Sequence, residues 1–283
     1  MASELRWGER TYLMGIINVT PDSFSGDGLA TDERQQEEIV AAALELGAAM
    51  VSAGADILDV GAESTRPRHA YGDHPEVDAA TEASLAVPVV RALAAELGGR
   101  ARISIDTSKG EVARAAVEAG ATIVNDVWGA RRDPGTADAA AASGAHLVLM
   151  HNQDGAGYPA GVFGTVIDWL REAIHGAETR GVSRERLIVD PGIGFGKTTD
   201  DNLELLHRLA ELKSALGGLP VLIGTSRKRF LGELLDGAGP DDRVEGSAAT
   251  AALAVMSGAD IVRAHDVGPI ARTLRVADAV VRR

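Results

Sequence analysis

The sequence predicts one (β/α)8 barrel. Two observations lead there: short aliphatic runs alternate with alanine-rich helical stretches eight times across 283 residues, and no Pro/Ser-rich linker or compositional break divides the chain. A doubly wound open sheet shares this alternation and stands as the alternative. Length alone allows one large domain or two small ones. The unbroken pattern favours a single domain over residues 1–283, with the barrel proper beginning near residue 12.

The first strand is the run Tyr12–Ile17. Four others share a local signature of glycine, alanine, a polar residue and two aliphatics. These are Gly54-Ala55-Asp56-Ile57-Leu58, Gly120-Ala121-Thr122-Ile123-Val124, Gly144-Ala145-His146-Leu147-Val148 and Gly258-Ala259-Asp260-Ile261-Val262. In each, glycine is a left-handed helix stop and the aliphatics begin a strand covered on both faces. Arg102–Ile105, Leu187–Val189 and Val221–Ile223 complete the eight. The clearest helix carries Leu205, Leu209, Leu212 and Leu216 on one face, behind a Thr199/Asp200 cap. Arg272–Arg283 reads as a final helix with basic residues near its C-terminus.

Composition narrows the function. Hydrophobic residues at 45% and charged residues at 24% exclude global disorder, and 4% aromatics imply an aliphatic core. Without cysteine there is no disulfide, thiolate metal site or cysteine nucleophile. No stretch approaches the ~18 apolar residues of a membrane span. Met1-Ala2-Ser3-Glu4 opens without a basic or secretory segment, so a cytoplasmic location is expected. A net charge of −13 argues against general nucleic-acid binding but leaves a small anionic substrate open.

All eight strands end in polar or charged groups. In order these are Asn18; Asp59, then Glu63-Ser64-Thr65-Arg66-Pro67; Asp106-Thr107-Ser108-Lys109; Asn125-Asp126; His151; Asp190-Pro191-Gly192; Thr225-Ser226-Arg227-Lys228-Arg229; and Arg263-Ala264-His265-Asp266. Ionisable groups at buried strand ends are costly unless paired or used. One aspartate there is readily a helix cap; eight such ends are hard to explain by capping. In a parallel barrel they converge on the face that carries active sites.

Asp106, Asn125, Asp190 and Lys228 suit the amide-like edge of a flat heterocycle. Arg66, Arg263 and His265 suit phosphate. Asn18 and the Asp22–Asp27 loop offer hard oxygens for Mg2+. These residues predict a polar heterocycle beside a magnesium-bound phosphate or diphosphate. Arg66, Arg227, Lys228, Arg229, Arg263 and His265 are expected to make this face locally positive within an acidic whole. Gly192-Ile193-Gly194-Phe195-Gly196-Lys197-Thr198 imitates a nucleotide P-loop but has Pro191 where the first glycine is required. It reads instead as a strand-end loop with Phe195 as an apolar wall.

The blocks Asn18–Ser25, Glu63–Pro67, Ser104–Lys109, Asn125–Val127, Asp190–Lys197 with Asn202, Gly224–Lys228, and Arg263 with His265–Val267 together resemble the dihydropteroate synthase family, the sulfonamide targets of folate biosynthesis. They occur in family order and cover nearly the whole chain. The resemblance implies a homodimeric transferase that joins 6-hydroxymethyl-7,8-dihydropterin diphosphate to 4-aminobenzoate and releases pyrophosphate. It implies a pterin pocket of Asp106, Asn125, Asp190 and Lys228. The diphosphate site would comprise Asn18 with Mg2+, Arg66, Arg263 and His265. The aminobenzoate pocket would comprise Phe24, Thr65, Arg66, Pro67, Phe195 and Lys228. Asp106, Asp190, Lys228, Arg263 and His265 would carry the chemistry. Departures from the family pattern include Arg68, Arg229, Ala264 and the order Ser25-Gly26-Asp27-Gly28; none removes a residue assigned to chemistry.

His151 reads as a structural histidine, and His69 and His74 as polar loop residues. Lys109 and Lys197 read as solvent-facing loop charges. Three rival functions fit parts of the pattern. A methyltransferase acting on a methylated folate would share the barrel but not need the diphosphate site. An aldolase would use Lys228 as a Schiff-base amine. A silent paralogue would bind pterin without turnover.

Overall fold

In a computed structural model, the described residues are 4–20, 29, 35–63, 77–153 and 157–282. Strands β1 (Tyr12–Asn18), β2 (Ile57–Gly61), β3 (Arg102–Asp106), β4 (Ile123–Asp126), β5 (His146–Met150), β6 (Leu187–Asp190), β7 (Leu222–Ile223) and β8 (Ile261–Ala264) form one parallel sheet, in the order β6-β5-β4-β3-β2-β1-β8-β7. A single parallel bridge from Val189 to Val221 brings the two ends together, and Val189 N donates to Pro220 O at 2.9 Å. The sheet is therefore a nearly closed barrel, and the open doubly wound alternative falls away.

The helices α1 (Gln36–Ala53), α2 (Ala79–Leu97), α3 (Gly110–Glu118), α4 (Gly135–Ser143), α5 (Val162–Thr179), α6 (Thr199–His207), α7 (Leu209–Ala215), α8 (Arg229–Leu234), α9 (Val244–Met256) and α10 (Val267–Val281) lie between and after the strands. The repeated glycine stops take the left-handed conformation, with φ of 114° at Gly54, 117° at Gly120, 71° at Gly144 and 92° at Gly258. The polar residue that follows also has a job. Asp56 Oδ2 accepts from Leu13 N at 3.0 Å, and Asp260 Oδ2 from Val221 N at 2.9 Å, tying the entrance of each strand to its neighbour.

One expected helix differs. The stretch holding Leu205 to Leu216 is two helices, because Arg208 leaves helical geometry (φ −101°, ψ 20°). Its cap is Thr198, in a reciprocal capping box with Asp201, rather than Thr199/Asp200. The four leucines still share one buried face.

Alternation along the strands separates two cores. Outward residues such as Leu58, Ile103, Ile105, Leu147 and Leu149 pack under the helices. Inward residues Met14, Ile57, Ile123, Val148, Ile188, Leu222 and Ile261 fill the barrel, closed below by Leu5 and Trp7. Each fully buried aliphatic side chain contributes roughly 1.5–3 kcal/mol. This dry layer is the floor on which the polar residues stand.

Candidate active site

Two residues further along four of the strands, on the same inward face, the chemistry changes. Ile57 gives way to Asp59, Ile123 to Asn125, Ile188 to Asp190 and Ile261 to Arg263. The parallel register sets Asp106 beside both Gly61 and Asn125. Arg263 reaches across this ring. Its Nε donates to Asp59 Oδ2 at 2.6 Å and its Nη2 to Asp106 Oδ2 at 2.8 Å, while Asn125 Nδ2 donates to the same Asp59 oxygen at 3.0 Å. Asp59 and Asp106 are both buried, so two carboxylates share one guanidinium. Burial pushes the Asp106 carboxyl up; Arg263 opposes that and Asp59 reinforces it. Oδ1 of Asp59 and Oδ1 of Asp106 are buried without a hydrogen-bond partner.

Opposite lies Asp190, whose carboxyl burial also raises, against the opposing hydrogen bond that Oδ1 accepts from Gly192 N at 2.7 Å. The loop beyond it turns through Gly192, Gly194 and Gly196, all at positive φ. A Cβ on Gly194 would lie 2.7 Å from Lys228 Cδ, so this backbone packs directly on the lysine stem. Lys228 Nζ donates to Ile193 O at 2.9 Å and sits 3.8 Å from the centroid of the Phe195 ring. His265 contacts Ser226 Oγ through both its backbone N and Nδ1, each at 3.1 Å. Asn125, Asp190, Phe195, Lys228, Arg263 and His265 line one cleft at the barrel mouth.

Asn18 ends β1, beside Gly61 and half-buried. Phe24, Thr65, Arg66 and Pro67 lie outside the described residues, as do Asp22, Asp27, Arg68, His69 and His74. The expected positive face is revised for the described cations. Arg227 pairs with Asp266 at 2.8 Å and Asp241 at 3.0 Å, and exposed Arg229 pairs with Glu233. Lys228 and Arg263 remain in the cleft, facing Asp59, Asp106 and Asp190.

Two lysines are not the solvent-facing charges expected. Lys109 Nζ bridges Glu63 and Glu82, each at 2.6 Å, and the Glu82 side chain is fully buried. Lys197 Nζ donates to Gly192 O and Phe195 O and meets His151 Nδ1. Burial lowers the Lys197 ammonium to about 7. His151 is buried against the edge of Trp169, and burial, then Lys197, takes its imidazole down to about 3, consistent with a structural histidine. Asp59 is the member of the ring to which the sequence assigned no role. Its signal was a lone carboxylate inside Ile57-Leu58-Asp59-Val60, in phase with the barrel interior.

A sequence profile described as pterin binding enzyme matches residues 14–265. The chain is 43% identical over 281 residues to dihydropteroate synthase of Bacillus subtilis, covering 99% of this chain and 92% of that one. Its fold is similar to dihydropteroate synthase from Clostridium difficile, solved in the presence of pteroic acid (TM-score 0.87, 42% identity, 98% and 99% of the two chains). It is also similar to the Xanthomonas albilineans enzyme solved with 4-aminobenzoic acid (TM-score 0.85, 43% identity, 96% and 94%). With the profile and these relatives spanning nearly its whole length, the chain belongs to the dihydropteroate synthase family of pterin-binding enzymes.

Proposed function

We propose that this chain condenses 6-hydroxymethyl-7,8-dihydropterin diphosphate with 4-aminobenzoate, yielding 7,8-dihydropteroate and pyrophosphate. The observation that carries the reading is the cleft in which Asn125 and Arg263, bonded behind to buried Asp59 and Asp106, face Asp190 and Lys228. Its donors and acceptors suit the amide edge of a pterin held deep in the barrel mouth. Asn125, Asp106, Asp190 and Lys228 bind and orient that ring. Arg263 and His265 lie at the same mouth, where a diphosphate on the pterin methylene would project.

The methylene C–O bond breaks in an SN1-like step, its electron pair leaving with pyrophosphate. Arg263 and His265 stabilise the negative charge as it develops. The pterin ring spreads the positive charge left on carbon, and the carboxylates of Asp190 and Asp106 favour that state. The neutral aminobenzoate amine then attacks with its lone pair, forming the C–N bond, and the acidic arylammonium that results gives its proton to water or the departing pyrophosphate, so no strong general base is required. Phe195 and the stem of Lys228 form one wall of its pocket; Phe24, Thr65, Arg66 and Pro67 are proposed as the other.

Among the described residues no group of three His, Asp or Glu could hold a metal. Magnesium that arrives on a diphosphate needs only one or two protein oxygens, and the side-chain amide oxygen of Asn18, at the end of β1, is of the kind that could supply one. When bound, Mg2+ would neutralise charge on the diphosphate oxygens. A homodimer belongs to the same proposal, supported by exposed Leu253, Met256, Val276 and Val280 on α9 and α10. No helix among the described residues is long and apolar enough to cross a membrane, and a cytoplasmic setting is part of this reading.

The test is the complete reaction with and without Mg2+, read as pyrophosphate and dihydropteroate. Pyrophosphate release that requires aminobenzoate is expected. Methyl transfer from a methylated folate in its place would overturn the reading.

A further inference from the structure

The imitation P-loop hides a second-tier device. Gly192–Lys197 forms one wall of the cleft yet has little conformational preference of its own, with three glycines at positive φ. Something must hold it, because glycine loses more backbone freedom on ordering than any other residue. Beside the bonds to Asp190 and Lys228, Asn202 and Lys197 do so. Asn202, buried on α6, accepts from Gly194 N at 2.7 Å and donates to Thr198 O at 2.8 Å. Lys197 ties the other side: Nζ lies 2.9 Å from Gly192 O, 3.0 Å from Phe195 O and 2.9 Å from His151 Nδ1. One amine therefore joins the start of the loop, its tip and the end of β5. The His151 contact selects the tautomer with Nδ1 as acceptor.

The tie reaches Lys228 through the backbone it shapes. Ile193 and Phe195 are the residues whose carbonyl and ring meet Lys228 Nζ, and Gly194 packs on the Lys228 stem. We propose that Lys197 is a positioning residue: its amine holds the loop after β6 in the shape that presents Ile193 and Phe195 to Lys228, and so shapes the aminobenzoate wall without touching either substrate. The charged and titratable groups facing it are Asp190, Asp201 and Lys228, with His151 and the ring of Tyr158 alongside.

The substrate half of this proposal rests on the function proposed above; the loop half does not. Lys197→Met keeps the stem and removes every donor. In the full-length chain its KM for aminobenzoate is expected to rise ~10-fold or more, because small displacements of positioning groups are costly. The kcat should stay within about threefold. Hydrogen exchange of amides 192–197 in the ligand-free protein should quicken while the rest of the barrel keeps its protection. His151→Phe, which keeps a ring against Trp169 but removes one acceptor, should shift both readouts in the same direction by less.

An aminobenzoate KM within twofold of wild type in Lys197→Met, with unchanged loop exchange, would overturn the proposal. So would losses in kcat, both KM values and melting temperature that track one another, since these would mark a merely structural lysine. If the wild-type chain makes no dihydropteroate, the functional reading fails, and the exchange comparison still decides the tie.

Discussion

Arg263 Nε donates to Asp59 Oδ2 at 2.6 Å, closing a contact between residues 204 positions apart in the chain. Its Nη2 holds Asp106 at 2.8 Å, so this guanidinium is the counter-ion of two buried carboxylates before any substrate arrives. A group expected to serve the diphosphate thus also orders Asp59 and Asp106, on the side of the cleft proposed to take the pterin.

Arg263→Ala should therefore impair folding as well as binding. Removing one partner of a buried ion pair costs about 3–5 kcal/mol. Here part of that loss is recoverable, because an unpaired Asp106 can take up a proton. Its carboxyl is already raised, and without Arg263 it rises further. A raised carboxyl stabilises the fold at low pH and loses that contribution as pH climbs through its folded pKa. Urea unfolding should accordingly show a larger deficit at pH 8 than at pH 6, with KM for the diphosphate substrate raised. Equal deficits at the two pH values would count against the shared-proton account.

Asp190→Asn separates charge from shape. The amide keeps an oxygen for Gly192 N, and the neutral group escapes the desolvation that raises the Asp190 carboxyl. Stability should hold or improve. Pterin binding should weaken by about 1.5–3 kcal/mol, the loss of a charge-assisted hydrogen bond. Calorimetric titration with an unreactive pterin checks this; wild-type affinity would remove Asp190 from the pocket.

Strand identity was legible because it is written locally. Glycine stops, aliphatic runs and period-two faces need no distant partner, and all eight strands lie where those signals place them. The break at Arg208 was less visible, since the leucine periodicity runs through it and only the backbone departs. Asp59 and the two lysines depended on long-range contacts. Lys109 is half-buried because Glu63 and Glu82, 46 and 27 residues away, converge on it. Lys197 meets His151 across a similar gap and otherwise binds backbone carbonyls, which no residue pattern announces.

His146 carries a pH prediction from the opposite end of the barrel. Its ring meets Trp7 edge-on, its Nδ1 is buried without a partner, and burial, then Arg186 and Arg102, lowers its imidazole from 6.5 to about 4. A depressed pKa means the fold binds fewer protons than the unfolded chain. Its contribution is therefore whole above pH 6.5 and is lost as pH falls toward about 4. The slope approaches ~1.4 kcal/mol per pH unit. His146→Phe keeps the aromatic contact and removes the titration. Unfolding followed from pH 7 to pH 4.5 should show equal or better stability at neutrality and a shallower acid slope. An unchanged slope would mean that His146 is not held neutral.

The outer face of α9 and α10 bears on assembly. Leu253, Met256, Val276 and Val280 are 60%, 65%, 67% and 62% exposed on two helices that pack side by side. Single exposed aliphatics are ordinary, but Met256, Val276 and Val280 line one groove between these helices, a patch that a second copy can cover by two-fold symmetry. Light scattering should give wild-type protein twice the chain mass at micromolar concentration. Met256→Asp combined with Val276→Asp places two charges on each half of that contact and should give the single-chain mass. The cleft lies at the strand ends, away from this face, so turnover per chain should change less than twofold. A wild-type monomer, or a double variant that keeps the doubled mass, would exclude α9 and α10 as the dimer face.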